Sequence, residues 1–183
     1  VTENLARNAT SYKILINKST VPPGTARKCA EIIAKNIDQN NSQAKIEVVS
    51  NPEFLKQGSA VHDFNHPDKI VIGADSQHAY QQIHKVYQGL LKTYIPVIET
   101  NWETSEMIKY ANNSFLATKI SFINEIANIS DKINADVKVI AQALGMDYRI
   151  SPKFLNAGIG YGGSCFSKDV QALISSASKN DYQ

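Results

Sequence analysis

Cysteine is scarce in this chain of 183 residues, which has only Cys29 and Cys165. Two widely separated thiols form neither a disulfide framework nor a cysteine-rich metal site. They fit a reducing compartment, so we expect a cytoplasmic protein. No metal is expected at the HDFNHPD stretch (62–68) either. Its two histidines would share a face only on a helix, and Pro67 favours a loop.

An excess of one charge is also lacking, because 19 Lys and Arg stand against 17 Asp and Glu, for a net charge of +2. A protein that grips a phosphate backbone needs a clear basic excess, so nucleic acid is not an expected partner. No apolar run approaches the roughly 18 residues of a membrane span. The first residues show no charged and then apolar signal peptide. We therefore expect no membrane partner.

The chain has no initiator methionine, and its α/β half, residues 1–100, has no G-x-G-x-x-G turn. That glycine-rich turn binds the phosphates of a dinucleotide in the Rossmann fold. If a dinucleotide-binding domain is present, we expect its phosphate-binding half to be missing. The sequence is then expected to be a fragment from the middle of a longer enzyme.

Residues 1–100 alternate short apolar runs with helical patterns, which is typical of a parallel α/β sheet. The predicted strands are 13–17, 46–49, 69–73 and 95–98. Helices are predicted at 26–40, with Thr25 as the cap, and from Asp75 or Ser76 to about Leu91. Residues 50–68 are predicted to be a long connection. Pro96 places the last strand at an edge or makes it a strand start.

Residues 101–183 are predicted to be all-helical. One helix is expected from 102 to about 133, where proline and glycine are absent, and a second from Asp136 to Gly145. A glycine-rich loop (157–163) then leads to a helix at about 167–178. The predicted fold is an incomplete Rossmann-like parallel sheet, followed by a central helical domain with a long connecting helix.

The stretch GYGGSCFSKD (160–169) contains the strongest candidate chemistry. Cys165 would lie at a helix N-terminus, where the helix dipole and Lys168 favour the thiolate. Asp169 would share its face four residues later. The sequence leaves two interpretations open, a nucleophilic cysteine with an acid–base neighbour or a packed thiol beside an ordinary cap.

Two further sets of polar residues have comparable alternatives. Lys109 and Asn113 share a helix face, either towards a cleft or as the solvated start of the helix. Glu53 and Thr20 each follow a predicted strand, where ligands bind in open α/β sheets. Helix capping is the commoner role for a lone glutamate or threonine.

Four stretches together resemble a known family. They are NPEFLKQGSAVHDFNHPDKIVIG (51–73), EMIKYANNSFL (106–116), DYRI (147–150) and FLNAGIGYGGSCFSKD (154–169). Their order and spacing closely resemble the UDP-glucose/GDP-mannose dehydrogenase family over nearly the whole chain. The resemblance implies a Rossmann-like domain that binds NAD, in residues 1–100. It also implies a central helical domain, in residues 101–183, through which two copies form a homodimer.

The same resemblance implies an enzyme that oxidises a sugar C6 alcohol to a carboxylate with two NAD and one water. Lys109 and Asp169 would hydrogen-bond a water that accepts the hydroxyl proton, and Cys165 would attack the aldehyde. Water activated by Glu53 would hydrolyse the resulting thioester. Lys109 and Asn113 would stabilise the oxyanion.

Binding residues follow from the same motifs. Those expected to contact NAD are Ser19, Thr20, Gln57 and Lys168, and Thr20 is also expected to be catalytic, near the catalytic water. Those expected to contact the nucleotide sugar are Glu53, Phe54, Leu55, Lys109, Asn113, Arg149, Phe154, Leu155, Asn156, Gly160, Tyr161, Gly162 and Gly163. Arg149 is expected to reach the sugar of the neighbouring subunit. Gln57 stands where many family members carry Glu, and Asn156 where some carry Lys.

UDP-glucose is the expected substrate, with GDP-mannose or another nucleotide sugar as the alternative. Two other interpretations remain at this stage. The chain could be a non-catalytic dimerisation fragment, or part of a hydroxyacid-type dehydrogenase that needs no thiol.

Overall fold

A computed structural model of the chain describes residues 1–37, 44–90 and 94–182. Its elements, in order, are α1 (Thr2–Asn8), β1 (Lys13–Asn17), α2 (Thr25–Asn36), β2 (Ile46–Ser50), α3 (Ala60–Asn65), β3 (Ile70–Gly73), α4 (Gln77–Tyr87), β4 (Val97–Thr100), α5 (Trp102–Ile133), α6 (Val137–Met146) and α7 (Cys165–Ser178). The chain divides into two compact units, Val1–Lys109 and Tyr110–Gln183. Within the described residues, every helix is too short or too polar to traverse a bilayer.

The first unit contains a four-stranded sheet in the order β1-β2-β3-β4. Strand β1 runs parallel to β2, and β3 runs parallel to β4. The two middle strands, however, are antiparallel and meet at a single pair, Ser50 and Gly73. The predicted α/β class is confirmed, but the prediction of a parallel sheet throughout is wrong at this central joint.

Side chains extend the short joint between β2 and β3. Asn51 donates from Nδ2 to the carbonyl of Val71 at 2.7 Å. Ser105, from α5, donates its hydroxyl to the Ser50 carbonyl at 3.2 Å. The approach is so close that a Cβ on Gly73 would lie 2.5 Å from the Ser105 Cβ, so only glycine fits there. The antiparallel joint therefore depends on side chains that no strand pattern predicts.

Helices cover both faces of this sheet. On one face, Ala79, Ile83 and Tyr87 of α4 form a buried cluster that includes Val49 and Ile72. On the other face, α1 and α2 pack around Val48 and Trp102. The Trp102 indole donates to the Val48 carbonyl at 2.9 Å, which anchors the start of α5 to the sheet. Burying both faces explains the near-continuous apolar strands.

Several predicted boundaries hold, and others need correction. Strand β1, helix α5 and the Ser76 cap of α4 are confirmed; the Ser76 hydroxyl accepts from Ala79 N at 3.0 Å. Strand β4 lies two residues later than predicted, because Pro96 precedes it and cannot donate to the ladder. The predicted ends of α2 near residue 40 and of α4 near residue 91 are too late, because α2 ends at Asn36, before an extended Ile37, and α4 ends at Tyr87. Residues 40 and 91 themselves lie outside the described residues.

Three further corrections concern helix starts. Thr25 is the first residue of α2 and not its cap, since Gly24 occupies the N-cap position in the left-handed conformation. Helix α7 begins at Cys165, two residues earlier than predicted. The connection 50–68 contains α3, and α1 was not predicted, because helices of seven residues or fewer show little periodicity.

In the second unit, α5 is joined by α6, α7 and the loop between them. Asp136 caps α6 by accepting from Lys138 N at 2.8 Å, which confirms the predicted helix start. Lys119 of α5 donates to the carbonyls of Ile150 and Ser151 at 2.8 and 3.2 Å. These bonds hold the turn after α6 against the long helix.

A hydrogen-bonded cluster around Glu47 ties the start of β2 to neighbouring segments. Its carboxylate accepts from the hydroxyls of Tyr12 and Ser76, from His78 Nδ1 at 2.9 Å, and pairs with Lys45 at 3.2 Å. Burial acts to raise the pKa of Glu47, but these bonds together lower it to about 2 from 4.5. The folded state therefore stabilises the ionised form of Glu47 relative to its protonated form.

The depressed pKa of Glu47 predicts an acid-sensitive fold. The stabilisation is complete above about pH 4.5 and is lost as the pH falls towards 2. We expect the free energy of unfolding to drop by up to about 3 kcal/mol over this window, because one pKa unit corresponds to about 1.4 kcal/mol. Glu47→Gln should remove that part of the pH dependence in urea unfolding curves. Glu125→Gln, at an exposed position of α5, is the control and should leave it unchanged.

Candidate functional site

Lys109 and Glu53 form an ion pair in the first unit. Lys109 lies in the second turn of α5 and is only 5% exposed, and its Nζ lies 3.1 Å from Glu53 Oε1. The other oxygen of Glu53 accepts from Leu55 N at 2.6 Å, which fixes the carboxylate in the turn after β2. The Phe54 ring lies 5.4 Å from the Lys109 ammonium. A buried cation, a carboxylate and an aromatic ring thus converge at the end of a strand.

The burial of Lys109 and Asn113 excludes one of the two interpretations that the sequence leaves open, a solvated start of the helix. The exposed fractions of these residues are 5% and 7%, so they are not the solvated start of α5. Buried polar groups are costly unless they are paired. Both are paired here, Lys109 with Glu53 and Asn113 with Asp169.

Asp169 lies at the centre of a second polar cluster, in the second unit. It is 1% exposed and accepts from Asn113 Nδ2 at 2.6 Å and from Lys168 Nζ at 2.5 Å. The hydrogen bond to Asp169 raises the pKa of Lys168, although burial acts against it. The carboxylate is therefore held between an amide and an ammonium.

Cys165 is the first residue of α7 and is exposed, with Ser164 in the N-cap position. Asp169 follows one turn later but is buried, so the two side chains differ sharply in access to solvent. The loop before the helix turns at Gly160 and Gly163, whose φ angles are 105° and 81°. An accessible thiol beside the free N–H groups of a helix start is a suitable nucleophile.

Aromatic residues surround the start of α7. The ring of Phe166 lies 5.3 Å from Tyr161, edge to face, and 6.3 Å from Phe154. Leu155 is buried, whereas Asn156, Gly162 and Gly163 are exposed in the loop, and Gly158 N donates to Asn124 Oδ1 at 2.9 Å. The loop is thus held at Leu155, Gly158 and Tyr161, while Asn156, Gly162 and Gly163 are open to solvent.

The remaining predicted residues are placed as follows. Ser19 is exposed and Thr20 half-buried in the loop after β1, and Gln57 is exposed in the turn before α3. The Arg149 guanidinium binds Asp147, with its Nη2 2.6 Å from that carboxylate. The structure thus brings Glu53, Lys109 and Phe54 together and leaves Gln57 in solvent.

Asn51 and Glu106 are among the buried polar residues of the first unit that were not predicted. Asn51 accepts from Lys18 Nζ at 3.2 Å and from the Tyr87 hydroxyl at 2.6 Å, while Asn51 N donates to the Asn17 carbonyl at 2.9 Å. These bonds join the ends of β1 and β2. The Glu106 carboxylate accepts hydrogen bonds from Gly24 N and Ala26 N at the start of α2. Both residues are the first letters of the motifs NPEFL and EMIK, so motif position was the available signal.

Among the described residues, no group of three His, Cys, Asp or Glu side chains could hold an ion. His62 and His66 do stack, with ring centroids 4.6 Å apart. Their stretch is largely helical in α3, so the loop predicted there is wrong.

Comparison with known proteins identifies the family. Residues 1–91 match the NAD binding domain of the UDP-glucose/GDP-mannose dehydrogenase family, and residues 103–183 match its central domain. The chain belongs to this family. The resemblance found from the motifs is thereby confirmed, and residues 1–91 correspond to a domain that binds NAD in the family.

Individual relatives agree with this assignment. UDP-glucose 6-dehydrogenase TuaD of Bacillus subtilis is 47% identical over 180 residues, which are 98% of this chain and 38% of that protein. A UDP-glucose 6-dehydrogenase of Rhizobium meliloti is 46% identical, over 97% of this chain and 40% of that protein. The chain therefore spans about two fifths of the length of these relatives.

Solved structures show the same fold. A UDP-glucose dehydrogenase from Pyrobaculum islandicum superposes with a TM-score of 0.90 at 36% identity, over 99% of this chain and 41% of that one. A GDP-mannose dehydrogenase from Pseudomonas aeruginosa gives 0.71 at 28% identity, over 100% of this chain and 42% of that one. The Rossmann-like sheet with a long helix is thus a property of the family.

The Asn113–Asp169 bond should stabilise the second unit. Asn113→Ala leaves a buried carboxylate oxygen of Asp169 without its amide donor, which should cost about 2–3 kcal/mol in unfolding free energy. Asn128→Ala, at an exposed position of the same helix, should change it by less than about 0.5 kcal/mol. Chemical denaturation measures both. Equal effects of the two substitutions would contradict the structural importance of the bond.

Proposed function

We propose that the whole protein is an NAD-dependent UDP-glucose 6-dehydrogenase, which oxidises UDP-glucose to UDP-glucuronate in two steps. The observation that supports this most is the exposed thiol of Cys165, the first residue of α7. One turn later lies Asp169, which is buried and accepts hydrogen bonds from Asn113 and Lys168. Oxidation of an alcohol to an acid requires a group that retains the aldehyde. A nucleophilic thiol serves that purpose.

NAD supplies the two hydride acceptors of this reaction when it is bound. Ser19, Thr20, Gln57 and Lys168 would hold it. The loops after the parallel strands β1 and β2 carry Thr20 and Glu53, and ligands of open α/β sheets bind beyond such strand ends. Because residues 1–100 have no G-x-G-x-x-G turn, we assign these residues to one part of the dinucleotide and not to its pyrophosphate.

In the first oxidation, the C6 alcohol loses a hydride and a proton. A water hydrogen-bonded by Lys109 and Asp169 accepts that proton. The Cys165 thiolate then adds to the aldehyde carbon, and the tetrahedral oxygen takes up a proton to give a thiohemiacetal. Lys109 and Asn113 donate hydrogen bonds to this oxygen while it is negative, which is where fixed donors contribute most.

In the second oxidation, the thiohemiacetal loses a hydride and a proton and becomes a thioester. Glu53 takes a proton from a water that attacks the thioester carbon. The C–S bond breaks, the carboxylate leaves and the Cys165 thiolate is restored. Two contacts keep the Glu53 carboxylate oriented. One of its oxygens pairs with Lys109, and the other accepts from Leu55 N.

The substrate assignment rests on the relatives. The Bacillus subtilis and Rhizobium meliloti relatives, 47% and 46% identical, are named UDP-glucose 6-dehydrogenases, whereas the GDP-mannose enzyme is 28% identical. Phe54, Leu55, Phe154 and Tyr161 supply apolar contacts for the nucleotide sugar. Asn156, Gly160, Gly162 and Gly163 supply exposed polar or backbone groups. Arg149 would reach the sugar of the neighbouring subunit.

We also propose a cytoplasmic homodimer formed through the central helices. Phe115, Phe122 and Ile129 recur every seven residues on α5 and are 65%, 50% and 54% exposed. Ile133 adds a further apolar side chain, 68% exposed. A seven-residue apolar repeat on one helix face fits a second helix of the same kind. The proposed domain boundary lies between residues 100 and 101.

Replacement of the thiol tests the nucleophile. In the whole protein, Cys165→Ser should reduce overall turnover by at least about 100-fold, because a serine hydroxyl is a much weaker nucleophile at neutral pH. Single-turnover experiments should show the first oxidation and no acid. Cys29→Ser, at a half-buried thiol packed beside α1, should retain normal turnover. Normal turnover of Cys165→Ser would exclude covalent catalysis and favour an enzyme of the hydroxyacid type.

A charge on the α5 face tests the homodimer. Phe122→Glu should weaken self-association at least about tenfold, since a charge would be buried at the interface. Sedimentation velocity over a concentration series measures this constant. Val61→Glu, at a position of α3 that is 79% exposed, is the control and should not change it. If the wild-type protein is monomeric, the homodimer proposal is wrong, and the apolar residues of α5 are only an exposed surface patch.

A further inference from the structure

Glu106 is a buried carboxylate that the proposed reaction does not use. It lies on α5 one turn before Lys109 and is 2% exposed. Its two oxygens accept main-chain hydrogen bonds, Oε2 from Gly24 N at 2.6 Å and Oε1 from Ala26 N at 2.8 Å. Both donors lie at the start of α2, some 80 residues earlier in the sequence.

The start of α2 needs an acceptor that its own sequence does not supply. The N-cap residue is Gly24, which has no side chain to accept from the first turn. A carboxylate there satisfies the free N–H groups and complements the positive end of the helix dipole. Burial raises the pKa of Glu106, and the main-chain hydrogen bonds act in the opposite direction. Glu106 therefore caps a helix of another segment.

This cap also fixes the loop between β1 and α2. At one end, the Asn17 carbonyl accepts from Asn51 N at 2.9 Å. At the other end, Gly24 is bound to Glu106. The loop in between carries Ser19 and Thr20, the residues proposed to contact NAD.

The same contact decides what the start of α2 can bind. In dinucleotide-binding folds, the first helix after a strand commonly receives a phosphate at its N-terminus. Here a protein carboxylate occupies the corresponding N–H groups of Gly24 and Ala26. A phosphate would meet a negative charge at this position.

We infer that Glu106 is a positioning residue, which fixes the Ser19–Thr20 loop relative to α5, the helix that carries Lys109. The same carboxylate prevents a phosphate from binding at the N-terminus of α2. The inference rests on the proposed function for the role of the loop towards NAD. The contact itself is independent of that function, so it can be tested separately.

The substitution Glu106→Gln tests the inference with almost no change in shape. It removes the negative charge and one of the two acceptors. The control is Glu103→Gln, one turn earlier on α5, which removes the same charge from an exposed pair with Arg27 on the same helix α2. Both variants are made in this chain and in the whole protein.

Amide hydrogen exchange measures the contact in this chain. In Glu106→Gln, exchange at Gly24 and Ala26 should accelerate at least about tenfold, while Val49 and Ile72 in the sheet core stay protected. Glu103→Gln should leave all four amides unchanged. Unchanged exchange at Gly24 and Ala26 in Glu106→Gln would overturn the inference. If that variant does not fold, protection of these two amides in the wild-type chain decides, and rapid exchange there would equally overturn it.

NAD titration of the whole protein measures the consequence. Glu106→Gln should raise the dissociation constant for NAD at least about tenfold and raise KM for NAD more than it lowers kcat, because the loop is misplaced and not the reacting groups. Faster exchange with unaltered NAD binding would overturn the positioning role. Absence of UDP-glucose oxidation in the wild-type protein would refute the proposed function alone, since the exchange result does not depend on it.

Discussion

The first three turns of α5 present a stripe of buried polar side chains, and each of them holds a different segment of the chain. The stripe consists of Ser105, bonded to Ser50, Glu106, bonded to Gly24 and Ala26, Lys109, bonded to Glu53, and Asn113, bonded to Asp169. Polar groups removed from water are costly unless they are paired. The loops that end β1 and β2 can therefore move away from this helix only by leaving a buried group without its partner.

This constraint links the stability of the fold to its chemistry. An oxyanion is stabilised best by donors that are already in place before the charge develops. In the proposed reaction Lys109 and Asn113 would be such donors, because each is held by a carboxylate. Cys165 differs in this respect. It is exposed at the start of α7, and its environment before the helix consists of glycines and aromatic rings that leave the thiol accessible.

Much of the secondary structure could be predicted from local patterns. The apolar run 13–17 and the stretch 102–133 without proline or glycine correspond to β1 and α5. Predictions failed where structure is short or depends on distant contacts. Helices α1 and α3 are too short for a clear period, and the cap of α2 comes from a residue in α5. A pattern within one segment does not contain such partners.

The sequence by itself determined the family, the alternation of strands and helices before residue 100, and the candidate chemistry at Cys165, Lys109 and Glu53. These follow from periodicity and from motif order, which are properties of neighbouring residues. Only the tertiary structure decided that β2 and β3 are antiparallel, that Lys109 is buried, and that Glu106 caps α2. The reason is physical: pairing and burial are settled between segments that are far apart along the chain, and a buried polar side chain has a partner only once those segments have met.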